Sequence, residues 1–119
     1  VYATQDDMVL RFGAAEVIAL TDRNNSGRID DAVLARALDS ASSEIDGYLA
    51  VRYPLPFATT PKILTGYACD IARYRLCGAA TQTSLDIRER FRDAQRFLEL
   101  VAAGTLTLGR LPAGGSTQP

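Results

Sequence analysis

The sequence predicts an all-α fold: a small helical bundle of two short N-terminal helices, a long helix and two further helices, with an extended C-terminal arm. Three observations lead there. Apolar residues recur every three or four positions over long stretches, which is the period of a helix with one buried face. Residues that open and close helices bracket those stretches. Strand-like alternation is confined to TLTL, residues 105–108. A chain of 119 residues is one domain by length, with room for a single modest core. The helical domain is expected over 1–104 and the arm over 105–119.

The first helix opens at Thr4, with Asp7 completing a capping-box pattern, and runs from Gln5 to Phe12 until Gly13 can end it. A second short apolar piece, AAEVIAL, leads into the loop TDRNNSGRID, residues 21–30. A long helix starts at Asp30 or Asp31. Its apolar positions are Val33, Leu34, Ala37, Leu38, Ala41, Ile45, Tyr48 and Leu49, the strongest periodic signal in the chain. The segment RYPLPFATTP then breaks the helix, because Pro54, Pro56 and Pro61 cannot continue one. Thr60 is expected to cap the next helix, with Pro61 at its first position, where a missing N–H costs nothing. That helix, PKILTGYACDIARYRLC, buries Leu64, Ala68 and Ile71 and is expected to stop at Gly78. After the polar link AATQTS, the last helix runs from about Leu85 to Ala103, with Thr83 and Asp86 as a second capping box and Gly104 as its stop. Its stripe is Ile87, Phe91, Ala94, Leu98 and Val101. The opposite face carries Arg88, Glu89, Arg92, Asp93 and Arg96, the pattern of a solvated face.

Composition narrows the function. A hydrophobic fraction of 47% with 23% charged residues is that of a globular protein. The formal net charge of −1 supplies no drive towards nucleic acid or an anionic membrane. No apolar run approaches the ~20 residues of a membrane span. The N-terminus VYATQDDM lacks the basic-then-apolar pattern of a secretory signal, so a protein working in the cytoplasm, or in something assembled there, is expected. Histidine is absent, which removes the commonest general base and metal ligand. Of the 13 basic residues only Lys62 is lysine; the arginines suit interfaces through their planar fork, although GC-rich coding is the plainer explanation. Cys69 and Cys77 are separated by ~12 Å along one helix, beyond the ~7 Å reach of a disulfide. They read as structural thiols of a reducing compartment.

The loop TDRNNSGRID resembles a calcium-binding loop. Asp22, Asn24, Ser26, Gly27, Ile29 and Asp30 fall on positions 1, 3, 5, 6, 8 and 9 of an EF-hand, with the carbonyl of Arg28 at position 7. Position 12, which needs a bidentate glutamate, is Val33. Without that clamp, any calcium affinity belongs to the ~10⁻⁴–10⁻³ M class. A metal-free reading uses the same residues: Asp22 and Asn24 make Asx-turns, Gly27 takes positive φ, and Asp30 caps the long helix. The turn is the preferred reading, with a calcium-dependent EF-hand-like interaction module as the alternative.

Other chemistry is sparse. No P-loop, GxSxG or CxxC appears, and neither an enzyme nor a cofactor is expected. Asp70 and Arg73 sit at i, i+3 with Arg75 nearby, while Glu44, Asp46 and Arg52 lie near the end of the long helix. If those helices pack, a partly buried Asp–Arg network is expected between them; a paired-carboxylate site of Glu44, Asp46 and Asp70 is the less favoured reading. Arg88, Arg90, Arg92 and Arg96 are interspersed with Asp86, Glu89, Asp93 and Glu99, which suits protein contacts better than a DNA-reading face and weakens a small DNA-associated regulator as a reading. The arm's Leu106, Leu108 and Leu111 would be wasted on a free tail, so the arm is expected to dock.

The order YATQDDMVLRFG, LTDRNNSGRIDDAVLARAL, SEIDGYLAVRYPLP and ACDIARYRL, then an Arg-rich last helix, resembles the Mu-like prophage neck proteins, a phage head–tail connector family. The likeness runs from Tyr2 to about Gly109. It implies a non-enzymatic virion protein at the neck, assembled in the host cytoplasm, that forms a homo-oligomeric ring of about twelve copies. The ring would lie between the portal protein and a stopper or tail-completion protein, enclosing the DNA channel without reading its sequence. Members of that family often carry a more acidic loop than Asn25 and Ser26 make here, and they offer no catalytic residues to carry over. A ring subunit needs two different faces. The loop Tyr53, Pro54, Leu55, Pro56 and Phe57, the arginines Arg88, Arg92 and Arg96, and the arm are the residues expected to touch partners.

Overall fold

A computed structural model describes residues 1–77 and 83–108. It contains α1 (Gln5–Phe12), α2 (Ala14–Thr21), α3 (Asp31–Leu49), α4 (Lys62–Leu76) and α5 (Leu85–Ala102), with no strand among the described residues. The all-α bundle expected from periodicity is the observed one. The stop at Gly78, most of the link before Ser84, and Leu111 with the rest of the arm beyond Leu108 lie outside the described residues.

The helices start and stop for local reasons. At α1 the Thr4 hydroxyl accepts the Asp7 N–H, and the Asp7 carboxylate accepts the Thr4 N–H, so two orphan donors are satisfied reciprocally. Gly13, at φ +90, both ends α1 and precedes α2. Asp30 caps α3, its carboxylate accepting from the Val33 N–H at 3.1 Å. Gly104, at φ +85, closes α5 in a Schellman motif: its N–H bonds to the Val101 carbonyl, and the Thr105 N–H reaches back to Leu100.

Two caps differ from expectation. Pro61 sits at the N-cap itself with extended ψ, so α4 begins at Lys62 and Thr60 lies outside the helix. α5 is capped by Ser84, whose hydroxyl accepts from the Ile87 N–H at 3.2 Å; Thr83 instead meets Arg88. Both shifts are of one residue, where sequence signals for a cap are least sharp.

α3, α4 and α5 pack against one another, and α1 and α2 pack against α3 and α4. The shared core is fully buried Leu34, Ile45 and Leu49 from α3, Leu64 and Ile71 from α4, and Leu98 and Val101 from α5, with Met8, Val17 and Leu20 from the short helices. Each such side chain contributes roughly 1.5–3 kcal/mol by leaving water. Buried Ala41, Ala68, Ala72 and Ala94 let the helices approach closely. Tyr74 stacks on Phe91 with ring centres 4.0 Å apart, joining α4 to α5.

α4, like α3, is touched by every other helix. It is therefore buried on more of its circumference than its single apolar stripe predicts, and Asp70 and Arg73 go under with it. A charged group in that position must find a partner. Among the described residues no helix is long and apolar enough to cross a membrane.

Candidate functional site

The loop before α3 is organised by one carboxylate. Asp22 accepts the Ser26 N–H at 2.9 Å and the Ser26 hydroxyl at 3.1 Å on one oxygen, and the Gly27 N–H at 2.7 Å on the other. These backbone bonds favour the charged form and hold its pKa below the usual carboxylate range. Asn25 (φ +56) and Gly27 (φ +75) supply the left-handed residues the turn requires. Beneath them the buried Thr21 hydroxyl donates to the Val17 carbonyl and accepts the Asp30 N–H at 3.1 Å. The turn and cap expected of Asp22, Gly27 and Asp30 are thus formed, with Asp22 reaching N–H groups four and five residues on, while the Asx-turn expected of Asn24 is not among these bonds. Val33 packs against the core, as the apolar pattern requires. Asn24, Ser26, Arg28 and Asp30 line a shallow depression of about 440 Å³. Among the described residues no group of three or more His, Cys, Asp or Glu is placed to hold a metal ion.

The charged residues of α4 pair differently from the i, i+3 expectation. Asp70 turns to α1, where the Arg11 guanidinium donates to it at 3.2 and 3.4 Å. Burial pushes the Asp70 pKa up, against the pull of Arg11. Arg73 turns the other way: it donates to both oxygens of Glu16 on α2 and, at 2.9 Å, to Asp86 on α5, while its guanidinium lies 4.3 Å from the Phe12 ring centre. Three carboxylate oxygens outweigh the cost of burying that cation and raise its pKa. The network expected between α3 and α4 reduces to Arg75 with Glu44 at 2.8 Å. Asp46 accepts from the Tyr2 hydroxyl, and Arg52 donates to the Ala102 carbonyl at 3.0 Å. Glu44, Asp46 and Asp70 therefore serve three separate partners, and the structure does not assemble them into a carboxylate pair.

The residues expected to touch partners are placed unequally. Tyr53 is a core residue, its ring 6.0 Å from that of Phe57 and its hydroxyl accepting the Leu108 N–H at 2.9 Å. Leu55 and Phe57 also pack on the core, which leaves Pro54 and Pro56 as the exposed part of the loop. The apolar side chains of this proline-rich loop, expected from the sequence to touch partners, are thus turned to the core, Tyr53 fully and Leu55 and Phe57 in part. Arg88, Arg92 and Arg96 are exposed along α5. In the arm Leu108 packs on the core and Leu106 is exposed, so the first part of the arm docks on its own domain. TLTL forms no strand, because its N–H groups are used by the α5 cap and by Tyr53.

Sequence reasoning missed a groove between α1 and α4, about 490 Å³, walled by Asp7, Leu10 and Arg11 on one side and by Lys62, Gly66 and Cys69 on the other. Leu10 stands 90% exposed at its edge and Ile63 47% exposed nearby. The available signal was Leu10 itself, an apolar residue off the buried stripe of α1. At its floor Cys69 is buried, and desolvation pushes its thiol up to about 12, so it behaves as a small apolar side chain.

The sequence is similar to those of known phage proteins. The family model described as Bacteriophage Mu, Gp36 matches residues 2–119. The Mu-like prophage FluMu protein gp36 of Haemophilus influenzae is 34% identical over 108 residues, 91% of this chain and 75% of that protein. Gene product J of Escherichia phage Mu is 38% identical over 104 residues, 87% of this chain and 72% of its own length. The chain belongs to the Mu gp36 family of phage proteins.

Proposed function

We propose that the chain is a structural subunit of the phage neck, a head–tail connector that assembles as a ring of about twelve copies between the portal protein and a stopper or tail-completion protein. Membership of the Mu gp36 family carries the reading, together with the segments EIDGYL, RYPLP and CDIARYRL that resemble neck proteins. Surface composition supports it. Leu10, Ile63, Leu85 and Leu106 are large apolar side chains left exposed outside the core. In this reading the protein is not an enzyme: its buried charges hold helices together, and the ring surrounds DNA without reading it. The mixed signs along α5 suit neighbouring subunits better than phosphates. The protein is assembled in the host cytoplasm and resides in the virion.

Gold labelling of an epitope-tagged chain in purified particles tests the location. Label at the head–tail junction supports the reading. Label along the tail or at its tip, or particles that contain none of the chain, overturns it.

A further inference from the structure

We propose that Phe57 couples the two ends of the chain, so that the N-terminal strap, residues 1–4, and the C-terminal arm are held and loosened together. Tyr2 fastens the strap. Its N–H donates to the Ser42 hydroxyl on α3 at 3.0 Å, and its carbonyl accepts the Thr65 hydroxyl on α4 at 2.7 Å. Its own hydroxyl donates to Asp46, and the next residue, Ala3, is buried. One residue thus bridges α3 and α4. The arm is fastened by Arg52 and Tyr53, whose N–H groups both bond to the Leu49 carbonyl at 2.9 Å and so sit fixed on the end of α3. The Arg52 guanidinium donates to the Ala102 carbonyl at 3.0 Å and lies over Gly104, where a Cβ would stand 2.7 Å from it. The Tyr53 hydroxyl accepts the Leu108 N–H at 2.9 Å.

Phe57 stands between these two fastenings. Its ring centre lies 6.2 Å from that of Tyr2 and 6.0 Å from that of Tyr53, with the planes tilted by 58° and 51°. Both separations fall in the range at which tilted aromatic rings attract. Pro54 and Pro56 fix two of the φ angles between Tyr53 and Phe57, which restricts how far the two rings can part. Tyr53 is a buried core residue and serves as the post. Tyr2, Phe57 and Leu108 are only partly buried against the core, so the row Tyr2–Phe57–Tyr53 supplies part of what holds each end. An arm lifted off Tyr53 by a partner would loosen the strap across α3 and α4 through this row, and a loosened strap would weaken the arm in return. The contacts lie within one chain, so the inference stands apart from the neck reading.

A single aromatic pair sets the size of the effect, roughly a two- to tenfold change in local opening. Such opening is read amide by amide through hydrogen exchange. The Tyr2 N–H reports on the strap and the Leu108 N–H on the arm. The Val33 N–H, bonded to Asp30 at the other end of α3, reports on the rest of the fold.

Exchange followed by NMR on the full chain tests this. Tyr2→Leu, which removes the ring and keeps an apolar side chain, should speed Leu108 exchange roughly two- to tenfold and leave Val33 unchanged. Tyr2→Phe, which keeps the ring and loses the bond to Asp46, should leave Leu108 as in the parent chain. In a Phe57→Leu background, Tyr2→Leu should no longer affect Leu108. Leu108→Ala should speed Tyr2 exchange while the Phe57 ring is present, because coupling is reciprocal, and this variant tests the row without touching the strap. Leu108 exchange that ignores Tyr2→Leu, that speeds only as far as Val33 does, or that speeds equally with and without the Phe57 ring overturns the coupling. The assay needs no phage: particles that assemble without the chain would sink the neck reading and leave this result standing.

Discussion

The guanidinium of Arg73 on α4 grips both carboxylate oxygens of Glu16 on α2, and with its remaining donors it also holds Asp86 on α5. One side chain thus ties the N-terminal hairpin to the C-terminal helix across α4. Glu16 and Asp86 are 33% and 57% exposed, so removing the arginine leaves carboxylates that water can reach. Arg73→Met should cost about 2 kcal/mol, below the 3–5 kcal/mol of a pair broken in a sealed core. Denaturant unfolding measures it. A double-mutant cycle with Glu16→Gln should show coupling; strict additivity would mean that the contact contributes nothing.

Asp70 predicts a particular pH response. Burial raises its pKa above the usual 3.8, so the folded state binds the proton more readily than the unfolded chain does. Its contribution is fully present below 3.8 and is lost as pH rises through the folded value. Asp22 and Asp86 have lowered values and act oppositely: their contribution is present above the unfolded pKa and fades as pH falls. Asp70→Asn should therefore steepen acid unfolding and leave neutral stability almost unchanged. Arg11→Met, which strands the buried carboxylate, should cost about 2 kcal/mol at pH 7 and progressively less towards acid. Equal losses from Arg11→Met across that range would contradict the pairing.

The loop of Asp22 is expected to fold without metal. Gly27→Ala, at φ +75 with open space around it, should cost about 1–2 kcal/mol through backbone strain alone. Millimolar calcium should leave the melting temperature where it was. A rise that EDTA reverses would revive the EF-hand-like module.

Tyr53 predicts how firmly the arm is held. Tyr53→Phe removes the acceptor of the Leu108 N–H and should cost about 1 kcal/mol. Deleting 105–119 should leave a folded helical domain, by circular dichroism, that no longer enters particles. Normal incorporation of the truncated chain would remove the arm from the assembly account.

Much of the fold was legible because helix periodicity is local. Val33 to Leu49 announces α3, and Ile87 to Val101 announces α5, without reference to any other segment. The pairings were not legible in the same way. Asp70 and Arg73 look like a pair at i, i+3, but α4 lies between α1, α2 and α5 and so turns the two residues to different neighbours, with Arg11 and Glu16 more than fifty residues away. Tyr53, Leu55 and Phe57 looked like a surface loop because prolines surround them; whether an apolar loop residue caps the core or meets a partner is decided by tertiary packing. The turn roles of Asp22 and Gly27 were readable because such chemistry is made within a few residues, whereas the sequence pointed to Asn24 and the positive φ falls on Asn25. Leu10 was visible as a residue off the stripe, yet only the position of α4 shows that it borders a groove.

The measurement that tests the central claim most directly is to disrupt this gene in its phage and image the lysate by negative-stain electron microscopy. The connector reading predicts heads and tails that accumulate separately, joined again when the intact gene is supplied. Joined, infectious particles from the disrupted phage would contradict it.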